Sequence, residues 1–516
     1  MTEEEVEKEE KQMKQETLAE EEKDLIDIQD SKRNIIFICL VFIGTLSSLD
    51  GGIIPQQNSN IQKDFDPNAG EYRVGLFGSI DYIGRVFGAI IFTLIMGRMN
   101  RKMLLVSTLI FKAITLFLEM YDINKKYPND PTQNNDPTIQ DIRYNTYIIN
   151  IIARCLSGIS QVFYPTYLPV WCDQYAKKAK KAIWVTLVQI GNPLGIILGY
   201  GIGMLCNAIF DDKAWNIAFL FEGITLIVCA IFILFFDKLY FSEKFVLIDD
   251  YKGKEKEKTE EEKNAKLINF SNLGKIICNK IFLFSSFCNS VAFFGIGVVQ
   301  YYGNKYMEFV LEIGDSVRFV LFGILCLFGP TTGMVFGGII CSKMGGYIKS
   351  KSMTFVILCM AIASIISMFI ACHEIIALFI ITGWSYLFAI GASIPPISGI
   401  IISCLDNNLR GDGFSFCNLV LNLVGSFPSS YAYSILCDAF ENKGTKEKYK
   451  YAWMITMGYN FVGLLFVIIA GIFRFRIKGD LSEDKKDEEE LSNCNNTETS
   501  NNENTENNSE EKYGNI

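Results

Sequence analysis

Residues 75–102, GLFGSIDYIGRVFGAIIFTLIMGRMNRK, decide the fold of this chain. They form one apolar segment that is long enough, as a helix, to cross the hydrocarbon core of a bilayer. The segment carries two charged residues in its apolar part, Asp81 and Arg85, and it ends in a short basic turn that begins at Gly97. A second apolar run starts directly after this turn. Charge inside a span and a short basic hinge between two spans are expected of a membrane transporter.

The rest of the chain has the composition of a membrane protein with many spans. Of its 516 residues 50% are hydrophobic, and these are gathered into apolar runs of about 20 residues. The net charge of −9 comes largely from the acidic ends and says little about partners, and we expect no binding of nucleic acid. The 15 cysteines include no CxxC pair, the single histidine is His373, and there is no GxxxxGKS/T nucleotide motif. We therefore predict no metal, no cofactor, no enzymatic activity, and transport that is driven by a gradient.

Twelve apolar runs predict an all-α membrane protein with 12 transmembrane helices in two six-helix pseudo-symmetric halves. A cytosolic acidic N-terminal tail, residues 1–33, precedes the first half at 34–237, and a charged cytosolic linker at 238–275 leads to the second half at 276–474. Residues 475–516 form an Asn/Glu-rich tail that we predict to be disordered. The predicted spans are 34–55, 73–97, 103–120, 144–171, 183–209, 215–237, 276–303, 317–341, 352–371, 374–404, 412–437 and 450–474.

Basic residues in the loops predict the orientation in the membrane. The loops after spans two, four and eight are short and basic, so by the positive-inside rule they face the cytosol, with the linker and both termini. The lysine-rich loop before span twelve argues for the opposite orientation, but an even span count requires both termini on one side. Residues 21–26, EEKDLI, fit an acidic dileucine sorting signal or match it by chance. The predicted location is the plasma membrane or an endosomal or lysosomal membrane.

Four charged residues inside predicted spans of the first half are the strongest functional signal. They are Asp50, Asp81, Arg85 and Arg154, and each costs roughly 2.5–3.5 kcal/mol to insert. Asp81 and Arg85 are four residues apart, so they share a helix face and can pair. At about 1.5 Å per residue, Asp50, Asp81 and Arg154 lie at similar depth in the outer half of the bilayer and can form one cluster. Such a cluster can couple protons and bind a headgroup, or it can be a static ion pair that locks helix packing.

The fifth predicted span contains residues 191–195, GNPLG, followed by further glycines at Gly199 and Gly203. Glycines four apart on a helix allow a neighbouring helix to approach closely, and Pro193 loosens the backbone. The pattern predicts either a gating element or plain helix packing.

Several motifs in the first half match a known family in order along the chain. Residues 45–50, TLSSLD, match a first-span Asp motif, although Gly51 replaces the usual Arg, and residues 75–102 match a second span with its closing G-D-R-x-N-R-K turn. On these motifs the chain resembles the major facilitator superfamily, and within it the Spinster-like branch, whose members carry lysophospholipids and sphingosine phosphate. The matching residues in spans four and five are Arg154, Gly158, Tyr164, Thr166, Pro169, Asp173, Pro193, Gly195, Leu198, Gly199 and Tyr200.

The resemblance implies the major facilitator fold, with proton coupling and headgroup contact at Asp50 and Arg154. Gln161 stands where the family has a titratable Glu, so we expect Asp81 and Arg85 to take over part of the lost charge. On this hypothesis, Asp81→Asn abolishes pH-dependent transport. The predicted substrate and coupling residues are Asp50, Asp81, Arg85, Arg154, Gln161 and Tyr164.

The basic turn resembles the family's gate between spans two and three. Gly97 replaces the Asp of the motif, so the charge contact that this Asp makes in the family is missing here or comes from another residue. The predicted gating residues are Gly97, Arg98, Arg101, Lys102, Pro193 and Gly195.

The function predicted from the sequence is secondary active transport by alternating access. The substrate is expected to be amphiphilic and lipid-like, such as a lysophospholipid, with protons and membrane lipids as the other partners. One alternative keeps the mechanism but carries a small organic anion, a nutrient or a drug. An alternative of another class is a membrane receptor or scaffold that does not transport.

Overall fold

The structure is a computed structural model of the full chain. It describes residues 32–65, 70–95, 100–120, 137–175, 181–210, 214–241, 270–344, 347, 349–370, 374–405 and 409–476. The dileucine-like stretch, Gly97, Arg98, the C-terminal tail from residue 477, and linker residues 242–269 lie outside this part.

The described residues form helices in every region where the sequence predicts a span. In the first half α1 comprises residues 32–46 and Asp50–Phe65, and α4 comprises Pro137–Gln161 and Phe163–Tyr175, each with a short break. In the second half α11 is Arg410–Val420 and Phe427–Ala439, joined by a π-helical turn at Leu421–Ser426. The other spans are α2 (Tyr72–Ile95), α3 (Arg101–Glu119), α5 (Lys181–Phe210), α6 (Ala214–Leu234), α7 (Lys280–Phe309), α8 (Asp315–Lys343), α9 (Ser350–Ile370), α10 (Ile376–Ser403) and α12 (Thr445–Arg476).

Ten of these helices are long and apolar enough to cross a membrane by length and composition alone. The two others are α3, which carries Arg101, Lys102, Lys112 and Glu119, and α11, which the π-helical turn interrupts. A short helix, Phe270–Cys278, precedes α7, and a 3₁₀ turn, Lys238–Phe241, follows α6. The described residues contain no strand, so the prediction of an all-α protein is confirmed.

The helix contacts repeat between the two halves, as the prediction of pseudo-symmetry requires. In the first half α1 packs on α5, α2 on α4, and α3 on α6. In the second half the corresponding pairs are α7 with α11, α8 with α10, and α9 with α12. The halves meet where α2 contacts α11, α5 contacts α8, and α1 contacts α7.

The outer surface of the bundle is apolar, as lipid contact requires. Large hydrophobic side chains are exposed on it, among them Ile38, Val228 and Phe235, the last with 82% of its surface exposed. The interior, in contrast, holds charged side chains with almost no exposure, including Asp50, Lys112 and Arg154. A soluble protein shows the reverse arrangement.

Candidate functional site

Two glycines bring α2 and α4 into backbone contact and so position the charged residues of both helices. A Cβ atom on Gly158 of α4 would overlap the carbonyl of Asp81, and one on Gly84 of α2 would overlap the carbonyl of Cys155. Only glycine permits an approach this close. The contact places the α2 residues that follow Asp81 beside the α4 residues that follow Arg154.

A break in α1 supplies the third element of the site. The helix is regular to residue 46, loosens over residues 47–49, and resumes at Asp50. The break leaves the Ser47 carbonyl free to accept a hydrogen bond from Lys112 Nζ of α3, at 2.8 Å. Interrupted helices at mid-membrane depth bind ions and substrates in many transporters, because their unpaired backbone groups line the site.

Asp50 is the centre of a buried charge cluster. Its Oδ2 accepts hydrogen bonds from Lys112 Nζ at 3.0 Å, from Gln161 Nε2 at 2.7 Å, and from Arg154 Nη1. Its Oδ1 accepts the backbone N–H of Gly51 at 3.0 Å. A carboxylate with this many donors, two of them cationic, is held in its charged form.

Two further carboxyl groups lie against the same two cations. Glu119 Oε2 of α3 is 3.7 Å from Arg154 Nη1, and Glu222 Oε1 of α6 is 3.4 Å from Lys112 Nζ. Neither carboxyl accepts a hydrogen bond. Asp81 Oδ2 of α2 also lies 4.0 Å from Arg154 Nη2, but its nearer cation is Arg85 at 2.9 Å. We use the name deep cluster for the five other residues that meet here with side chains at most 2% exposed, namely Asp50, Lys112, Glu119, Arg154 and Glu222.

Arg85 forms the accessible edge of the site. Its Nη2 donates to Asp81 Oδ2 at 2.9 Å and to Gln161 Oε1, and its guanidinium lies 4.6 Å from the centre of the Tyr82 ring. The Arg85 side chain is 25% exposed, whereas those of Asp81 and Arg154 are 2% and 1% exposed. Gln161 thus joins Arg85 to Asp50, since it accepts from one and donates to the other.

The structure brings together five of the six predicted substrate and coupling residues. The exception is Tyr164, which is buried beside Thr108 of α3. Lys112, Glu119 and Glu222 were not among the residues predicted for the site. The available signal was the same one that found Asp50, because these three charged residues also lie inside predicted spans, 103–120 and 215–237. The four residues singled out in the first-half spans, Asp50, Asp81, Arg85 and Arg154, are therefore only part of the charged group.

The described residues of the predicted gate make contacts within the first half. Asn100 caps α3, with its Oδ1 accepting the Lys102 N–H at 2.9 Å. Lys102 Nζ donates to the carbonyls of Leu234 at 2.9 Å and of Phe236, so it caps the C-terminal end of α6. Arg101 lies near Tyr167 of α4.

The glycines of α5 pack this helix against α1. A Cβ on Gly195 would overlap the Thr45 carbonyl, and one on Gly199 would overlap the Leu49 carbonyl. The helix continues without a break through Pro193. Gly195 therefore serves helix packing, which was one of the two roles predicted for this segment. The other role, gating, stays a prediction.

At the end of the bundle opposite the basic turn, the two halves are held together by buried charge. Glu71, just before α2, forms an ion pair with Lys305 of α7 at 2.7 Å and accepts a hydrogen bond from Tyr449 Oη of α12. Lys448 lies 3.9 Å from the same carboxyl. We call this end the closed end and these four residues the closed-end lock.

Asp438 of α11 strengthens the closed end from the other side. Its two carboxylate oxygens accept the backbone N–H groups of Glu71 at 2.7 Å and of Tyr72 at 2.9 Å. The second half thus supplies the cap for the N-terminus of α2, where the helix dipole favours a negative charge. Further along α2, the Tyr301 hydroxyl of α7 donates to the Gly78 carbonyl at 2.6 Å.

The pKa of Glu71 follows from these contacts. Burial by itself raises the pKa of the carboxyl, but Lys305, the Tyr449 hydroxyl and Lys448 together outweigh it, so the pKa lies below the ordinary value for glutamate. Glu71 is therefore ionised at neutral pH and the lock is an ion pair.

Among the described residues no group of His, Cys, Asp and Glu is arranged to hold a metal ion.

Comparison with known proteins identifies the family. The family model described as Major Facilitator Superfamily matches residues 36–429. The curated protein described as probable sphingolipid transporter spinster homolog 1 of Arabidopsis thaliana is 23% identical over 319 residues, 58% of this chain and 62% of that protein. The solute carrier organic anion transporter family member 1A6 of Mus musculus is 22% identical over 264 residues, 46% of this chain and 39% of that protein. The chain thus matches less than two thirds of the length of either relative.

A solved structure is similar over nearly its whole length. The crystal structure of a bacterial homologue of the human lysosomal transporter Spinster, in an inward-facing and unoccupied conformation, has a TM-score of 0.64 at 14% identity. The match covers 86% of this chain and 98% of that one. The predicted fold and the resemblance to the Spinster-like branch are confirmed.

Proposed function

The chain belongs to the Major Facilitator Superfamily, and from this premise we propose that it is a secondary active transporter, and not an enzyme, that works by alternating access between its two six-helix halves. In this proposal the basic loops and both termini face the cytosol. The closed end then faces the other side of the membrane, which is the cell exterior or an organelle lumen. The closed-end lock between Glu71 and Lys305 supports a conformation in which access from that side is shut.

The proposed substrate has an anionic or zwitterionic head, and the observation that carries this proposal is the environment of Arg85. Arg85 is the partly exposed cation of a site whose other charged side chains are almost fully buried. An anionic group that binds Arg85 competes with Asp81 and Gln161 for the same guanidinium. The Tyr82 ring beneath the guanidinium adds a surface for the apolar part of the substrate next to the head.

A lipid-like tail is the first choice for the remainder of the substrate. The spinster relative is described as a probable sphingolipid transporter. It matches 319 residues of this chain, whereas the mouse relative matches 264. The second candidate, a small organic anion, is favoured by the description of the mouse relative. Both substrates carry a group that Arg85 can bind, so the apolar tail is what distinguishes them.

Proton coupling is the proposed energy source. The deep cluster contains carboxyl groups next to cations, and such groups exchange a proton for an ion pair when their surroundings change. Arg154 donates a hydrogen bond to Asp50, and Gln161 connects this pair to Arg85 by hydrogen bonds to Asp50 and Arg85. A change in proton occupancy of the cluster is therefore transmitted to the residue that binds the substrate head.

The test is transport by the purified protein in proteoliposomes. Uptake of a radiolabelled lysophosphatidylcholine and of a radiolabelled small aromatic carboxylate is measured with and without a pH gradient. Lipid-dependent flux that responds to the gradient supports the proposal, and flux of the carboxylate alone supports the second candidate. Binding of either probe without flux refutes transport and favours a receptor or scaffold.

The Arg85→Gln variant tests the headgroup contact. A charge-assisted hydrogen bond contributes about 1.5–3 kcal/mol, so the variant should raise the KM for the transported probe by roughly 10- to 150-fold. Arg476→Gln is a matched control, because Arg476 is an exposed arginine at the end of α12. An unchanged KM in Arg85→Gln contradicts the assignment.

A further inference from the structure

The charges of the deep cluster do not balance. It contains three carboxyl groups, on Asp50, Glu119 and Glu222, and two cations, on Lys112 and Arg154. All five side chains are between 0% and 2% exposed, so water does not screen them. If every group were ionised, one negative charge would be buried without compensation, which proteins avoid by protonation.

Asp50 is not the group that takes up the proton. Its Oδ2 accepts from Lys112, Arg154 and Gln161, and its Oδ1 accepts from the Gly51 N–H. A proton on this carboxyl would displace at least one of these donors. Asp81 does not change the imbalance, although it lies 4.0 Å from Arg154, because its nearer partner Arg85, at 2.9 Å and partly exposed to water, adds one positive charge for its one negative charge.

Glu119 and Glu222 remain. None of their four carboxyl oxygens accepts a hydrogen bond. Their nearest cations, at 3.7 Å and 3.4 Å, are Arg154 and Lys112, and both of these already donate to Asp50. We propose that Glu119 of α3 and Glu222 of α6 together bind one proton, so that one of the two carboxyl groups is protonated at a time. These two glutamates, rather than Asp81, are then the proton-carrying site of the transporter, a statement that rests on the proposed function.

The geometry shows how this proton is linked to the substrate site. When alternating access admits water to the cluster, the protonated glutamate gives its proton to that water and becomes a carboxylate. If this glutamate is Glu222, Lys112, 3.4 Å from Glu222 and 3.0 Å from Asp50, can shift toward it. Asp50 then loses a donor and holds Gln161 differently, and Gln161 is hydrogen-bonded to Arg85. The charged groups that face the pair are Asp50 of α1, Asp81 of α2, Lys112 of α3 and Arg154 of α4.

This arrangement also explains how the site operates with Gln161. The amide of glutamine cannot bind or release a proton in the physiological range, so Gln161 is not itself a proton carrier. Gln161 instead uses its amide as a bridge that donates to Asp50 and accepts from Arg85. In the proposal the proton is carried on α3 and α6, and Gln161 of α4 connects these helices' cluster to Arg85.

Infrared difference spectroscopy of the purified protein tests the proton directly and requires no substrate. The wild type should show the C=O stretch of a buried, protonated carboxylic acid near neutral pH. Glu222→Gln and Glu119→Gln each remove one carboxyl and leave the deep cluster balanced, so each should lose the band. Asp81→Asn and the exposed control Glu374→Gln should keep it. A band that persists in both cluster variants, or that disappears in Asp81→Asn, overturns the proposal.

Transport by the same four variants tests the coupling. The measured quantity is lysophosphatidylcholine uptake with a pH gradient divided by uptake without one. In proteoliposomes that contain the reconstituted wild type, this ratio should exceed one. In Glu222→Gln and Glu119→Gln it should fall to one, and in Glu374→Gln it should equal the wild-type ratio. Loss of the gradient response in Asp81→Asn alone overturns the assignment and supports Asp81 as the proton site. A wild type without any gradient response refutes proton coupling in the proposed function, whatever the infrared result.

Discussion

The substitution Glu71→Gln should open the closed end. It removes the charge of the carboxylate that binds Lys305 and accepts from Tyr449, but it keeps the shape of the side chain. The contact joins α2 of one half to α7 and α12 of the other, so it exists only while the closed end is shut. When the halves separate at this end, both charges are hydrated, and the substitution changes little.

The magnitude follows from the burial of the pair. The side chains of Lys305 and Glu71 are 3% and 7% exposed. Removing one partner of a buried pair costs about 3–5 kcal/mol, because the other charge stays buried without compensation. The glutamine oxygen can still accept from Lys305, so we take the lower value, about 3 kcal/mol. At 1.4 kcal/mol for each factor of ten, the opening equilibrium should rise by roughly 100-fold.

Hydrogen–deuterium exchange detected by mass spectrometry measures this opening. The peptides to follow cover the start of α2, where the Glu71 and Tyr72 amides donate to Asp438, and the start of α12 around Tyr449. Protection factors in both peptides should fall by roughly 100-fold in Glu71→Gln, since exchange there reports local opening. Peptides from the α3–α6 contact, which lies within one half, should be unaffected.

Glu374→Gln is the matched control for this experiment. Glu374 also lies at the closed end and pairs with Lys446 at 2.9 Å and with Lys450, but it is exposed and all three residues belong to the second half. Its removal should leave exchange at the start of α2 unchanged. If Glu71→Gln and Glu374→Gln give the same exchange in these peptides, the lock does not hold the halves together and the reasoning fails.

The pH dependence of the lock has a defined sign. The pKa of Glu71 is lowered in the closed structure, so its contribution is fully present above the ordinary glutamate value of about 4.3 and is lost as the pH falls through the lowered value. Between pH 5 and pH 8 the lock should therefore stay constant. Protection at the closed end, corrected for intrinsic exchange, should be flat over this window, and a loss of protection near pH 6 would contradict the assignment.

Two further predictions concern the scaffold around the site. Gly199→Ala places a methyl group against the Leu49 carbonyl and should lower stability by about 1–3 kcal/mol, seen as a lower melting temperature, whereas Gly323→Ala meets no neighbouring atom and should not. Lys102→Met removes the cap on the Leu234 carbonyl, so amide exchange at the C-terminal end of α6 should rise by about fivefold for a loss of about 1 kcal/mol; unchanged exchange there would contradict the capping role.

Part of the charged site could be predicted from the sequence. Asp81 and Arg85 are four residues apart on one helix, and a regular helix places such residues side by side whatever it packs against. Asp50 and Arg154 were expected at one depth, because depth follows from the number of residues to the end of a span. The hydrogen bond from Arg154 to Asp50 agrees with that expectation.

The remainder depends on the rotation of each helix about its own axis, which span positions do not give. Lys112 reaches Asp50, and Glu222 reaches Lys112, because α3 and α6 turn these faces inward and because the break in α1 exposes the Ser47 carbonyl. Tyr164, which the family motif assigned to the same site, faces Thr108 instead.

The sequence by itself determined the class of molecule. Runs of apolar residues fix the number of helices, since lipid offers no hydrogen bonds to an unfolded backbone and a span needs a minimum length. Residues 75–102 by themselves thus indicate a span, a charged pair and a basic turn.

Only the tertiary structure decided what these charges do. The closed-end lock joins Glu71 to Lys305 and Tyr449, and the deep cluster joins Asp50 to Glu222, across long stretches of chain. The net charge of such a buried group depends on which side chains meet, because a charge without a partner is costly only where water is excluded. That balance is a property of the packed helices, and no single span contains it.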